Sequence, residues 1–256
     1  MTVFPSLGLA RLGSEDKRDY GPLGRSLAAY TSCPVAVPNY RLTQPDDDSN
    51  SSGSPPLRHP THAHDILQLL TFLLSWSGPQ DRQGHQVPPY DPNRLYLMGH
   101  SCSAHMLGCI LLDSAEPALV PSATLLRAVR GVVFSEGIYD IDTLLESFPD
   151  YRDWFIRETF GSLPTYDRYS ITRMALRDGA KHIHWMILHS RGDRLVDILQ
   201  SQAIYDHLKP LYDGGVQGGG QVAKNWDDLE DDHNEILQSG KYIQIVGDFI
   251  SNIPNA

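Results

Sequence analysis

Three residues have the types and settings needed to move an acyl group: Ser101, Asp193 and His233. Ser101 is the centre of Gly99-His100-Ser101-Cys102-Ser103. An apolar run, Leu95-Tyr96-Leu97-Met98, leads in, and a helical run starting at Ala104 leads out. A strand entering Gly-x-Ser-x-small and then a helix is the nucleophile-elbow pattern, in which a tight turn lifts the serine hydroxyl above a sheet. The residues flanking the serine must be small, because strand and helix pack closely there. Gly99 meets this need, and Ser103 stands where a second glycine is usual. The backbone N–H of Cys102, at the helix N-terminus, is placed to donate to an oxyanion. A chance Gly-x-Ser-x-Ser between a core strand and a helix is the bland alternative, and the strand–turn–helix setting argues against it.

The acid candidate lies in His189-Ser190-Arg191-Gly192-Asp193-Arg194-Leu195-Val196, where a buried strand ends in a Gly-Asp turn. A carboxylate at the C-terminal end of a strand, one turn short of a helix, suits the orienting acid of a triad. An ordinary turn with a capping aspartate would look similar. Asp197 competes, but reads as the N-cap of the following helix. Asp91, Asp140 and Asp178 lack a strand-end setting. The base candidate is His233 in Asp231-Asp232-His233-Asn234-Glu235, just before the last helix. A lone histidine there is usually a surface residue. Here the order Ser, acid, His is the one expected of an elbow hydrolase, in which the acid holds the base in its working tautomer.

Positioning these groups takes alternating strands and helices. Strand-like runs occur at Val35–Val37, Arg94–Met98, Gly131–Ser135, His182–His189 and Gln221–Trp226. Helical spacing occurs at 60–76, 104–112, 196–208 and 235–250. This alternation predicts an α/β fold, a mostly parallel sheet with helices on both faces. The polar Asp46–Pro56 stretch and the glycine-rich 213–220 stretch read as flexible loops, and neither borders a separate core. One domain over 1–256 is therefore expected.

The 256 residues carry a formal net charge of −10, with 41% hydrophobic and 20% charged residues. The acidic balance argues against nucleic acid and against an anionic membrane surface. A small-molecule substrate is expected, with a homodimer left open. The three cysteines, Cys33, Cys102 and Cys109, form no paired framework and no zinc-type spacing. They fit a reducing compartment, and with no signal-peptide pattern or long apolar run the expected location is cytoplasmic. Arg58-His59-Pro60-Thr61-His62-Ala63-His64-Asp65 holds many metal-ligand types. Its spacing matches no zinc pattern, and Pro60 marks a helix start. No metal and no cofactor are expected.

Several stretches together carry a resemblance: Asn39-Tyr40-Arg41-Leu42, Arg58-His59-Pro60-x-His62-x-x-Asp65, Gly99-His100-Ser101-Cys102, Glu136-Gly137-Ile138-Tyr139-Asp140, Pro149-Asp150-Tyr151-Arg152 and Asp232-His233-Asn234-Glu235. The sequence resembles the fungal kynurenine formamidases of the α/β-hydrolase superfamily, from about Asp19 onward. The resemblance implies hydrolysis of N-formyl-L-kynurenine to kynurenine and formate, a step of tryptophan catabolism, by Ser101, Asp193 and His233 without a cofactor. An aromatic leaving group would need an aromatic pocket, for which Tyr139, Trp154 and Phe155 are the candidates, with Phe160 beside them. Each reads equally well as core. The family's His-Gly-Gly-x-Trp segment is missing; by position Gly8 is its only remnant and the second oxyanion candidate. The strands expected before it are also missing, and one of them belongs between the strands near Val35 and Leu97. Residues 1–4 can fill that slot only in part. A carboxylesterase with the same triad, and a truncated or inactive relative, are the competing expectations.

Overall fold

The computed structural model describes residues 1–3, 17–43, 57–80, 84, 89–213 and 219–254. Within these, β1 (Thr2–Val3), α1 (Gly21–Thr31), β2 (Val35–Ala36) and α2 (Thr61–Ser75) come first. They are followed by β3 (Leu95–His100), α3 (Cys102–Leu111), β4 (Leu112–Asp113), α4 (Ala123–Ala128) and β5 (Val129–Ser135). Then come α5 (Ile141–Ser147), a π-helical turn Arg152–Ile156, α6 (Arg157–Phe160), β6 (Ala175–Leu176) and β7 (His184–Leu188). The chain continues through α7 (Ile198–Tyr212), β8 (Val222–Asn225) and α8 (Gly240–Asn252). Gly8, the 46–56 stretch and 214–218 lie outside the described residues.

Six strands form one parallel sheet in the order β2-β1-β3-β5-β7-β8. All six residues of β3 are buried. A central parallel strand is covered on both faces, which is why its sequence runs nearly all apolar. Side chains alternate between the two faces with period two. Leu95, Leu97, Val132, Phe134, Trp185 and Ile187 face the core shared with α2, α3 and α7. Tyr96, Met98, Val133 and Leu188 face the core shared with α1 and α8. The indole N–H of Trp185 donates to the Tyr212 hydroxyl at 2.7 Å, so this buried ring leaves no polar atom unpaired.

Thr2 and Val3 fill the slot between β2 and β3, pairing with Val35 and Ala36 on one side and Tyr96 and Leu97 on the other. The inner strand that the sequence supplies only in part is thus two residues long. β4 and β6 form a separate antiparallel pair. Between β5 and β7 the chain leaves the sheet. Ile138, Ile141, Leu144, Phe155, Ile156 and Tyr166 gather there into a third apolar cluster, joined by Val196 from the loop after β7.

Candidate active site

The carboxyl ends of the parallel strands bring the site together, as open α/β sheets generally do. Ser101 directly follows β3, Glu136 follows β5, and the loop carrying Asp193 follows β7. His233 lies beyond β8. The strand ladder continues into these loops through Ser101 N→Ser135 O (2.9 Å), Glu136 N→Leu188 O (3.0 Å) and His189 N→Asn225 O (3.1 Å).

Ser101 is 1% exposed and has φ 54° and ψ −125°. Such a left-handed, non-glycine conformation costs on the order of 1–3 kcal/mol and persists only where the surroundings enforce it. The elbow is enforced from both sides. Ser101 N donates to Ser135 O, and Ile138 N donates to Ser101 O at 3.4 Å. Ser103 does more than stay small: its hydroxyl accepts from His100 N and donates to His100 O, both at 2.8 Å. Cys102 opens α3, so its N–H belongs to the first turn, where amides lack an intrahelical acceptor.

Asp193 Oδ2 lies 2.7 Å from Nδ1 of His233. Its Oδ1 accepts from the N–H groups of Leu195 (2.8 Å) and Val196 (3.0 Å). Burial pushes the Asp193 carboxyl up, but the His233 hydrogen bond and the two amides outweigh it and hold it below the usual carboxylate range. His233 is 3% exposed. Burial alone would lower its pKa; the Asp193 carboxylate, with the Glu136 carboxyl beside it, reverses this and raises it above the ordinary imidazole value. The loops of acid and base are tied directly. Arg191 N donates to Leu229 O at 3.0 Å, and the Ser190 hydroxyl to Asp231 O at 2.5 Å. His100, the residue before the nucleophile, packs its ring on His233 with centroids 4.6 Å apart.

Asp197 sits at the N-cap position of α7, but its side chain makes no cap hydrogen bond. Asp140 caps α5 through Thr143 N at 3.1 Å. Glu136 is the acid that the spacing argument passed over. It is fully buried, has φ 47°, and its Oε2 stands 3.2 Å from the same His233 nitrogen. The signal was available: an acid immediately after an apolar strand end, the criterion that picked out Asp193.

Beside the elbow lies a small, mostly apolar cleft lined by Cys102, Met106, Ile138, Phe155, Ile156, Phe160 and three histidines, 59, 62 and 105. Of the aromatic candidates, Phe155 and Phe160 reach this cleft. Tyr139 does not: it is fully buried, its ring against Phe134 and its hydroxyl accepting from Gly137 N at 3.2 Å. Trp154 packs on Tyr151 and Phe155 away from the lining. The reason for Tyr139 is register. After the strained Glu136, the chain turns Ile138 toward the cleft and Tyr139 into the core under α3.

The histidine-rich stretch is split among separate tasks. His62 bonds the Thr43 hydroxyl at 2.9 Å, and Asp65 takes a bidentate pair from Arg41 at 2.6 and 2.9 Å. His59 packs against Phe160, Tyr169 and His105. Burial, helped by the neighbouring His105 and His62 rings and by Arg168, lowers His59 to about 3; burial lowers His62 and His105 to about 4, leaving all three rings neutral at pH 7. Among the described residues, His59, His105 and Cys109 bring donor atoms within 4.8 Å of one another, the set best suited to a soft metal ion.

Comparison with known proteins fits this geometry. No protein-family model matches the chain. The chain superposes on esterase LipW from Mycobacterium marinum with a TM-score of 0.65 at 16% identity, covering 98% of this chain and 72% of that one. The chain has the α/β-hydrolase fold. In sequence, the chain is similar to kynurenine formamidases. It is 27% identical over 177 residues to that of Scheffersomyces stipitis and 29% identical over 157 residues to that of Eremothecium gossypii. Those matches cover 61% and 58% of this chain, and the same shares of the relatives. The chain thus spans about three-fifths of the length of the curated relatives it matches.

Proposed function

We propose that the chain is a serine hydrolase of the arylformamidase type, cleaving N-formyl-L-kynurenine to L-kynurenine and formate. The observation that carries this reading is the buried 2.7 Å Asp193–His233 pair beside a strained serine elbow. Similarity to kynurenine formamidases supplies the substrate.

In this scheme the Ser101 hydroxyl attacks the formyl carbon while His233 takes its proton. Asp193 orients the ring and stabilises its positive form. The Cys102 N–H donates to the developing oxyanion. Collapse breaks the C–N bond, and His233 returns the proton to the departing arylamine. Water, deprotonated by His233, then releases formate from the formyl-serine. Phe155 and Phe160 offer aromatic faces to the leaving group, and the neutral histidine lining suits the uncharged aryl formamide end of the substrate. No helix among the described residues is long and apolar enough to cross a membrane. The three free cysteines support a reducing, cytosolic setting.

The solved structures that share the fold favour one second reading, a carboxylesterase with the same three residues. Turnover of N-formyl-L-kynurenine beside p-nitrophenyl acetate, with Ser101→Ala as control, separates the two. Formamide turnover lost in the variant supports the formamidase. Ester turnover alone supports the esterase. Neither activity from folded protein would rule out both.

A further inference from the structure

Two carboxyl groups converge on one nitrogen of the base. Nδ1 of His233 lies 2.7 Å from Asp193 Oδ2 and 3.2 Å from Glu136 Oε2. Glu136 is not there by loose packing. It is fully buried, its own amide is tied to Leu188 O, and its Oε1 accepts from Ser190 N at 3.0 Å, at the start of the acid loop. Its Oε2 is buried and makes no well-formed hydrogen bond. The backbone holds a left-handed conformation to place it, with φ 47°. We infer that Glu136 is a reserve acid: a positioning residue that takes over the orientation of His233 when Asp193 carries no charge. The inference rests on the hydrolase reading for its kinetic meaning, though its geometry stands apart from it.

The two carboxyls divide their roles by environment. Asp193 accepts two backbone N–H groups besides the imidazole and so keeps its charge. Glu136 has one, from Ser190. Burial first, and then the like charge of Asp193, push its carboxyl up, so it holds its proton while Asp193 is ionised. The other titratable groups facing Glu136 are His100, with Nε2 3.9 Å from Oε2, and the Tyr139 and Tyr242 phenols. Burial keeps His100 uncharged, and both phenols are pushed up by burial, so none supplies a counter-charge. Removing the Asp193 charge therefore removes the like charge opposing ionisation of Glu136. Its carboxylate already stands within hydrogen-bond distance of Nδ1, so the ring N–H needs only to turn from Asp193 toward it.

The test compares Asp193→Asn, Glu136→Gln and the double variant. Loss of a triad acid alone ordinarily costs about 10⁴ in kcat. With Glu136 as reserve, Asp193→Asn loses no more than about 10²-fold, and the double variant falls by roughly a further 10²-fold. The kcat of Asp193→Asn also gains a rising limb with pH, as Glu136 ionises, that is absent from the double variant. Pairing Asp193→Asn with Glu136→Asp, in place of Glu136→Gln, restores part of that activity. A readout free of turnover is the far-downfield proton NMR signal of the His233 Nδ1–H, expected to persist in Asp193→Asn and to vanish in the double variant. An Asp193→Asn enzyme as inactive as the double variant, with that signal gone, overturns the proposal. Gln keeps the Oε1 acceptor for Ser190, so the fold is spared; should it fail, the signal in Asp193→Asn alone decides. If wild-type protein shows no Ser101-dependent turnover, the hydrolase reading fails, while the NMR arm still judges Glu136.

Discussion

A Cβ on Gly99 would stand 2.7 Å from the Cα of Ala104, closer than real Cβ atoms approach backbone. Gly99 is the penultimate residue of β3 and Ala104 lies in the first turn of α3, so this contact sets the tightness of the elbow. Backbone cannot swing aside as a side chain tip can. Gly99→Ala should therefore cost on the order of 1–3 kcal/mol in stability, as overpacked cores do. Activity should fall further than stability alone explains, because the Ser101 dihedrals depend on the same contact. Denaturant midpoints together with turnover of the folded fraction check this. A variant with wild-type midpoint and rate would show that the elbow is not set here.

Gly192 plays the matching part between acid and base. A Cβ there would collide with the Glu230 carbonyl and come within 2.7 Å of Asp231 O. Both carbonyls lie just before His233. Gly192→Ala should push the two loops apart, lengthening the Asp193–His233 bond while the sheet survives. Expected is a kcat loss of at least about tenfold, since small misplacements of reacting groups cost rate steeply, with unchanged far-ultraviolet circular dichroism. Intact kcat would mean the loops have slack that these contacts do not suggest.

The strands, the main helices and the Ser–acid–His order were legible because each rests on local pattern. β3 reads as strand from its unbroken apolar run, and Ser101 from the elbow around it. What was not legible depends on pairing across the chain. β1 is two residues long and becomes a strand only by lying between β2 and β3. α1 carries glycine, proline and serine, and gains its helix by packing on α8. The placing of Tyr139 in the core and Ile138 at the cleft follows from the strained turn at Glu136, which no periodicity announces. Glu136 itself was visible as an acid at a strand end. Its distance to His233 is a tertiary fact.

The charge on the base predicts a pH profile. Asp193, with Glu136 beside it, raises His233 above 6.5, although burial opposes them. The base must be neutral to accept the Ser101 proton, so the rising limb of kcat/KM should lie above pH 6.5, on the alkaline side of an unperturbed imidazole. The same shift acts on stability with a fixed sign. A raised folded pKa contributes stability that is full below the unfolded value of about 6.5 and is lost as pH rises through the folded value. A pH–rate profile with its limb at or below 6.5 would contradict the Asp193–His233 geometry as the working one.

The cleft histidines predict the opposite dependence on the acid side. His62 and His105 are 7% and 5% exposed, and burial lowers both to about 4. In the unfolded chain they titrate near 6.5, so between those values the unfolded state binds more protons. Stability should then be full above pH 6.5 and fall as pH drops toward 4, by up to about 1.4 kcal/mol per pH unit for each ring. His105→Gln removes one such ring. Its Nε2 lies 3.4 Å from the Cys109 thiol, and its other polar contact is weak, so glutamine costs packing more than pairing. The variant should be less stable at neutral pH yet lose stability more slowly on acidification. Denaturant titrations at several pH values between about 7 and about 5 compare the slopes. Equal slopes in wild type and variant would mean that His105 is already charged in the folded protein, or that the cleft admits enough water to solvate it.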